Sequence, residues 1–104
     1  MFTFIELRSF AIVRDRYLDD NDLLALQFYL SAHPDAGDVI AHSGGCRKLR
    51  WMAQGRGRRG GVRVIYFLRL SRGQIVLMTM YAKNVQENID PKLSRRLKEM
   101  FENG

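Results

Sequence analysis

Val62-Arg63-Val64-Ile65-Tyr66-Phe67-Leu68-Arg69-Leu70 decides the fold. It is rich in Val, Ile, Tyr and Phe, which pack well on a pleated surface, and it reads as a central strand. Side chains alternate across a strand. One face therefore carries Val62, Val64, Tyr66, Leu68 and Leu70, and the other Arg63, Ile65, Phe67 and Arg69. Upstream, residues 46–52 alternate as well, with Leu49 and Trp51 on one side and Lys48 and Arg50 on the other. The apolar pair belongs under helices, which leaves Lys48 and Arg50 on the open face. Residues 54–61, Gln-Gly-Arg-Gly-Arg-Arg-Gly-Gly, are a basic connection between the two strands. If the strands pair through it, Arg63 lies beside Lys48 and Arg50, and three cations share one patch.

Working outward, Ser71-Arg72-Gly73 is a tight turn into a strand over residues 74–81. Residues 38–42 form a short strand that Gly44-Gly45 breaks. Towards the N-terminus, residues 2–7 read as a strand, and residues 8–17 as a helix with Phe10, Val13 and Tyr17 at helical spacing. Asp19, Asp20 and Asp22 suit the start of a second helix, with Leu23, Leu26 and Leu30 on its stripe and Pro34 stopping it near His33. At the other end Asp90-Pro91 is a cap followed by proline at the first helical position. Leu93, Leu97 and Met100 or Phe101 give that last helix an apolar face. The expectation is one α+β domain over residues 1–104. It has a mostly antiparallel four- to five-stranded sheet, two N-terminal helices and a C-terminal helix, with the helices on one face.

Charge is unevenly spread. The net charge is +6, yet from Val39 to Gln86 there are ten Lys/Arg and no Asp or Glu, while the flanks carry seven cations and eleven acids. Folding collects such a block on a few neighbouring elements and makes a positive face. A solvated basic face and a polyanion-binding face are both open on strand pattern alone, and the unbroken charge run favours the polyanion. The Gly/Arg connection with Arg56, Arg58 and Arg59 suits phosphate, because guanidinium forks bind it bidentately. It is not a P-loop, since no Gly-Lys-Ser/Thr ending is present.

Other classes find little support. A single cysteine, Cys46, allows no internal disulfide, and neither His33 nor His42 has ligand partners at metal spacing, so both read as structural or solvated. No metal or other cofactor is expected. The N-terminus does not resemble a signal peptide, and residues 73–82, the longest nearly uncharged stretch, are too short to span a bilayer as a helix. A cytoplasmic protein without membrane contact is the expectation. RNA suits a basic face that has no evident histidine base. Its 2′-OH is an internal nucleophile, and cations near the phosphate speed its attack; DNA lacks that hydroxyl.

Three segments carry a family resemblance: Gly44-Gly45-Cys46-Arg47-Lys48-Leu49-Arg50-Trp51, then Gly55-Arg56-Gly57-Arg58-Arg59-Gly60-Gly61-Val62-Arg63-Val64-Ile65-Tyr66, then Thr79-Met80-Tyr81-Ala82-Lys83-Asn84. Together they resemble the HigB-type branch of the RelE/ParE toxin superfamily, across nearly the whole chain. The resemblance implies a ribosome-dependent mRNA endonuclease that cleaves through 2′-OH attack. It also implies a cognate antitoxin, expected to be of helix-turn-helix type, and operator DNA bound only by the toxin–antitoxin complex. By motif match, Lys48, Arg50, Arg63, Lys83 and Asn84 are the expected catalytic set, and Arg47, Arg56, Arg58 and Arg59 the expected contacts to RNA or ribosome. RelE also has a tyrosine in its C-terminal segment, where this chain has Asn88, Ile89 and Asp90. Tyr81 and Tyr66 are the candidate substitutes, with strand parity putting Tyr66 on the helix-covered side. Two other readings share the sequence features: a ParE-type inhibitor of gyrase, and a non-catalytic RNA-binding module.

Overall fold

The computed structural model describes residues 2–52, 61–83 and 88–103. The chain runs β1 (Thr3–Glu6), α1 (Arg8–Tyr17), α2 (Asp20–Ala32), β2 (Asp38–Val39), β3 (Arg47–Trp51), β4 (Val62–Arg69), a 3-10 turn (Leu70–Arg72), β5 (Gln74–Ala82) and α3 (Pro91–Asn103). The class is α+β. The strands form one sheet in the order β1-β5-β4-β3-β2.

Local chemistry explains the elements. The Asp19 carboxylate accepts the Asp22 backbone N–H at 2.8 Å, and the Asp22 carboxylate accepts that of Asp19 at 3.1 Å, a reciprocal cap on α2. The Asp90 carboxylate accepts the Lys92 N–H at 2.9 Å ahead of α3, with Pro91 at the first helical position. Gly73 adopts φ 61 to close the 3-10 turn into β5, a conformation glycine reaches without steric cost.

Two features differ from the expectation. The sheet is mixed: β1 pairs parallel to β5, from Thr3 opposite Gln74 to Glu6 opposite Leu77. A parallel neighbour needs a long crossover, and here α1 and α2 supply part of it. The helices also do not share a face. Phe10, Tyr17, Leu26 and Leu30 of the first two helices cluster with Val62, Val64 and Tyr66 of β4, whereas Leu97 and Phe101 of α3 pack with Ile65 and Phe67. The reason lies in β4 itself. Ile65, Phe67, Val76 and Met78 are as apolar as the residues beneath α1 and α2, and all four are fully buried. A strand that is apolar on both sides has to be covered on both.

One irregularity sets the faces of β5. Ile65 pairs with Thr79 but Tyr66 pairs with Leu77, so Met78 is an extra residue, a β-bulge. Its carbonyl accepts the Ser9 hydroxyl from α1. Because of the bulge, Ile75 and Leu77 share a cluster with Met80 and Ala82, while Val76 and Met78 share the other with Tyr81.

Phe67 and Phe101 meet edge to face at 5.9 Å between centroids. Phe67→Ala is expected to lower unfolding free energy by about 3–5 kcal/mol, as for a buried aromatic between two layers. Urea denaturation reads this directly, and a loss well under 1 kcal/mol would mean that α3 does not cover the sheet in solution.

Candidate nucleic-acid interface

Strand pairing brings three of the expected residues together. Arg50 lies directly opposite Arg63 across β3 and β4, and Arg63 lies directly opposite Tyr81 across β4 and β5. These three form one rung across the sheet. Lys48 stands two residues before Arg50 on β3, opposite Ile65, and so on the same face. Arg50 is exposed, and Lys48 and Arg63 are half-buried. Lys83 is exposed directly after β5. The α3 helix shares this side of the sheet: its Leu97 and Phe101 pack against the cluster of Ile65, Phe67, Val76, Met78 and Tyr81, with Phe101 on Phe67 towards the far end of β4.

Like charges facing each other across strands cost stability, typically a few tenths to 1 kcal/mol per pair. Arg50 opposite Arg63 is such a pair. The Lys48 ammonium is fixed differently, donating to Asn88 Oδ1 at 2.8 Å.

Arg47, expected beside these residues, points the other way. It pairs with Tyr66, and its guanidinium donates to the Gly37 carbonyl at 2.7 Å and the Asp35 carbonyl at 3.1 Å. It latches the turn after α2 and is not brought to the patch. Arg56, Arg58, Arg59 and Asn84 lie outside the described residues. Arg69, from the same charge run, rests over the Phe101 ring at 5.4 Å and covers α3. Among the described residues no group of three or more His, Cys, Asp or Glu could hold a metal ion, and no helix is long and apolar enough to cross a membrane.

The two candidate tyrosines separate cleanly. Tyr66 is fully buried; its hydroxyl donates to the Pro34 carbonyl at 2.8 Å and accepts the Gly37 N–H at 2.9 Å. A Cβ on Gly37 would come within 2.9 Å of the Tyr66 ring, so glycine is what allows this approach. Tyr66 is therefore a core residue. Tyr81 is 6% exposed, and its hydroxyl makes no hydrogen bond of ordinary geometry with the described residues. Burial pushes its pKa up, while the approaching Ile89 backbone N–H and the Arg63 guanidinium pull it down. The bulge at Met78 puts Tyr81 on the Arg63 face; strand parity alone would group it with Ile75 and Leu77.

Two residues that strand reading left aside also border the patch. Asn88 holds Lys48, and His42 sits in the turn after β2 with φ 64, a left-handed conformation unusual for a side-chain-bearing residue. The Gly44-Gly45 pair was the only sequence signal of a tight turn there. Nothing in the linear pattern tied either residue to Lys48.

Burial raises the pKa of Tyr66 as well as that of Tyr81. The folded state then holds both phenolic protons more tightly than the unfolded state. Their contribution is fully present below the ordinary tyrosine value of about 10 and is lost as pH rises through the folded values. Urea midpoints measured from pH 8 to 11 should fall accordingly. Tyr66→Phe is expected to cost roughly 1–3 kcal/mol at pH 7, because it leaves buried backbone groups unpaired, and to flatten the alkaline decline. No protein-family model matches the chain.

Proposed function

We propose that the chain is a RelE-like toxin of the HigB type, a metal-independent endoribonuclease that cuts mRNA on the ribosome. The observation that carries this reading is the rung Arg50–Arg63–Tyr81 with Lys48 beside it, on one side of the sheet. Such a row can grip one ribose–phosphate step.

In the proposed reaction the 2′-OH loses its proton and its oxygen attacks the adjacent phosphorus. The bond to the 5′-oxygen breaks, and that oxygen takes up a proton. The products are a 2′,3′-cyclic phosphate and a free 5′-hydroxyl, with no water consumed. Charge builds on the phosphate oxygens during the attack, and fixed cations there are worth most in the transition state. Lys48 and Arg50 bind the phosphate. Arg63, central in the rung, neutralises the developing charge. Tyr81 packs beside Arg63 with its hydroxyl closed off from solvent, and acts as a positioning residue for that guanidinium. Lys83, and Asn84 by its motif, complete the proposed catalytic set. Arg56, Arg58 and Arg59 contribute affinity for RNA or ribosome. The proposed partners are mRNA, the ribosome and a cognate antitoxin of helix-turn-helix type, with operator DNA bound only through the toxin–antitoxin complex. The cytoplasm is the compartment this reading requires.

The test adds purified protein to a translating extract and maps mRNA ends by primer extension. Codon-phased cuts are expected. Arg63→Ala should reduce them on the order of a hundredfold or more, the usual loss when one donor to a developing charge is removed. Arg50→Ala should weaken cutting with stability changed by no more than about 0.5 kcal/mol, since the side chain is exposed. Intact mRNA with gyrase inhibited would move the chain to the ParE type. Neither effect, with salt-sensitive RNA binding, would leave a non-catalytic binding module.

A further inference from the structure

A pocket of about 250 Å³ is lined in part by Lys48, the cation that stands beside the rung. Ile40 and Ile89 give it apolar wall, and Lys48, Asn88 and His42 border it with polar groups. Apolar lining with a few convergent polar groups is the usual make-up of a small-molecule site. The volume falls below the roughly 300–1,000 Å³ of pockets for drug-sized ligands, which suits a single flat heterocycle.

His42 is the telling residue. Its φ of 64 is one that glycine would adopt without strain, and Gly44 and Gly45 follow it at φ 77 and 100. The turn does not need the imidazole. Ser43 closes it, its hydroxyl donating to the Ile40 carbonyl at 2.6 Å and accepting the Cys46 N–H at 3.0 Å. Strain is thus accepted at a position where a flat, exposed ring borders the pocket. The Lys48 ammonium is held there by Asn88 Oδ1. Two acids stand near. Asp38 pairs with Lys48 across β2 and β3, and Asp90 turns its carboxylate to the Lys92 N–H. Lys48 Nζ donates to Oδ1 of the neutral Asn88, which also lines the pocket.

We infer that this pocket takes one unstacked nucleobase of RNA, stacked on His42 with its edge towards Asn88, while the attached phosphate rests on Lys48. Unpaired bases are commonly recognised in this way, by a ring stack and edge hydrogen bonds. The inference rests on reading the patch as an RNA site and adds a subsite that sets nucleotide preference.

The experiment titrates isotope-labelled protein with each of the four nucleoside 3′-monophosphates, and separately with inorganic phosphate, by NMR. Nucleotides should shift the resonances of His42, Lys48 and Asn88, with affinities that differ among the four. His42→Gly relieves the backbone strain, so it should fold at least as well. It should weaken nucleotide binding at least about fivefold, the worth of one base–aromatic stack, and leave inorganic phosphate binding unchanged. Equal affinity for phosphate and nucleotide, or unchanged nucleotide affinity in His42→Gly, would overturn the inference. Nucleotide binding at His42 in a protein that leaves mRNA intact would uphold the pocket and remove the nuclease reading. Cutting that persists with the same nucleotide preference in His42→Gly would do the reverse.

Discussion

The rest of the structure depends on β4 being apolar on both faces. Val62, Val64 and Tyr66 need one cover, and Ile65 and Phe67 need another. The first comes from α1 and α2. The second comes from α3, whose Phe101 meets Phe67 near the end of β4 while Leu97 packs on the same cluster beside Thr79 and Tyr81. Arg63 and Arg50 lie at the opposite end, where β4 begins and β3 finishes. One side of one sheet thus passes from an apolar half to a charged half, with Tyr81 belonging both to the apolar cluster and to the rung. The division is written in the alternation of a single strand, which changes from Arg63 to Ile65 and Phe67 within five residues.

The bulge at Met78 completes the charged half. It inserts one residue into β5 and so reverses the parity of everything after it. Met80 and Ala82 join the cluster under the first two helices, and Tyr81 comes to stand next to Arg63. An extra residue in a strand leaves backbone groups without ladder partners. Here the Ser9 hydroxyl donates to the Met78 carbonyl, so the irregularity is supported from α1 rather than left as a defect.

Most of the element order was legible in the sequence, because its signals are local: an Asp cap before a leucine stripe, proline at a helix start, β-branched and aromatic runs. The pairing of β3 with β4, and with it the meeting of Lys48, Arg50 and Arg63 on one side, also follows from alternation. Three things were not legible. The parallel docking of β1 on β5 depends on where a remote segment finds an open edge. The placement of α3 depends on which face the first two helices leave uncovered. The bulge depends on a ladder register that no single strand encodes. The site suffered accordingly. Asn88 reaches Lys48, and His42 the same pocket, only through the packing of the segments around them, and Tyr81 stands opposite Arg63 only through the bulge at Met78.

Arg47 and Arg50 show why charge composition overstates such a site. Both lie on β3, three residues apart and so on opposite faces. Arg50 faces solvent beside Arg63, whereas Arg47 is spent on two backbone carbonyls near Tyr66. Arg69, too, lies over an aromatic ring of α3. A polyanion at a distance responds to all of these charges, but that attraction is screened beyond roughly 8–10 Å at ordinary salt. A phosphate in contact responds to position. Among the described residues, Lys48, Arg50 and Arg63 are those that strand register brings to one side of the sheet, and the proposed grip on a ribose–phosphate step depends on this geometry more than on the net charge of +6.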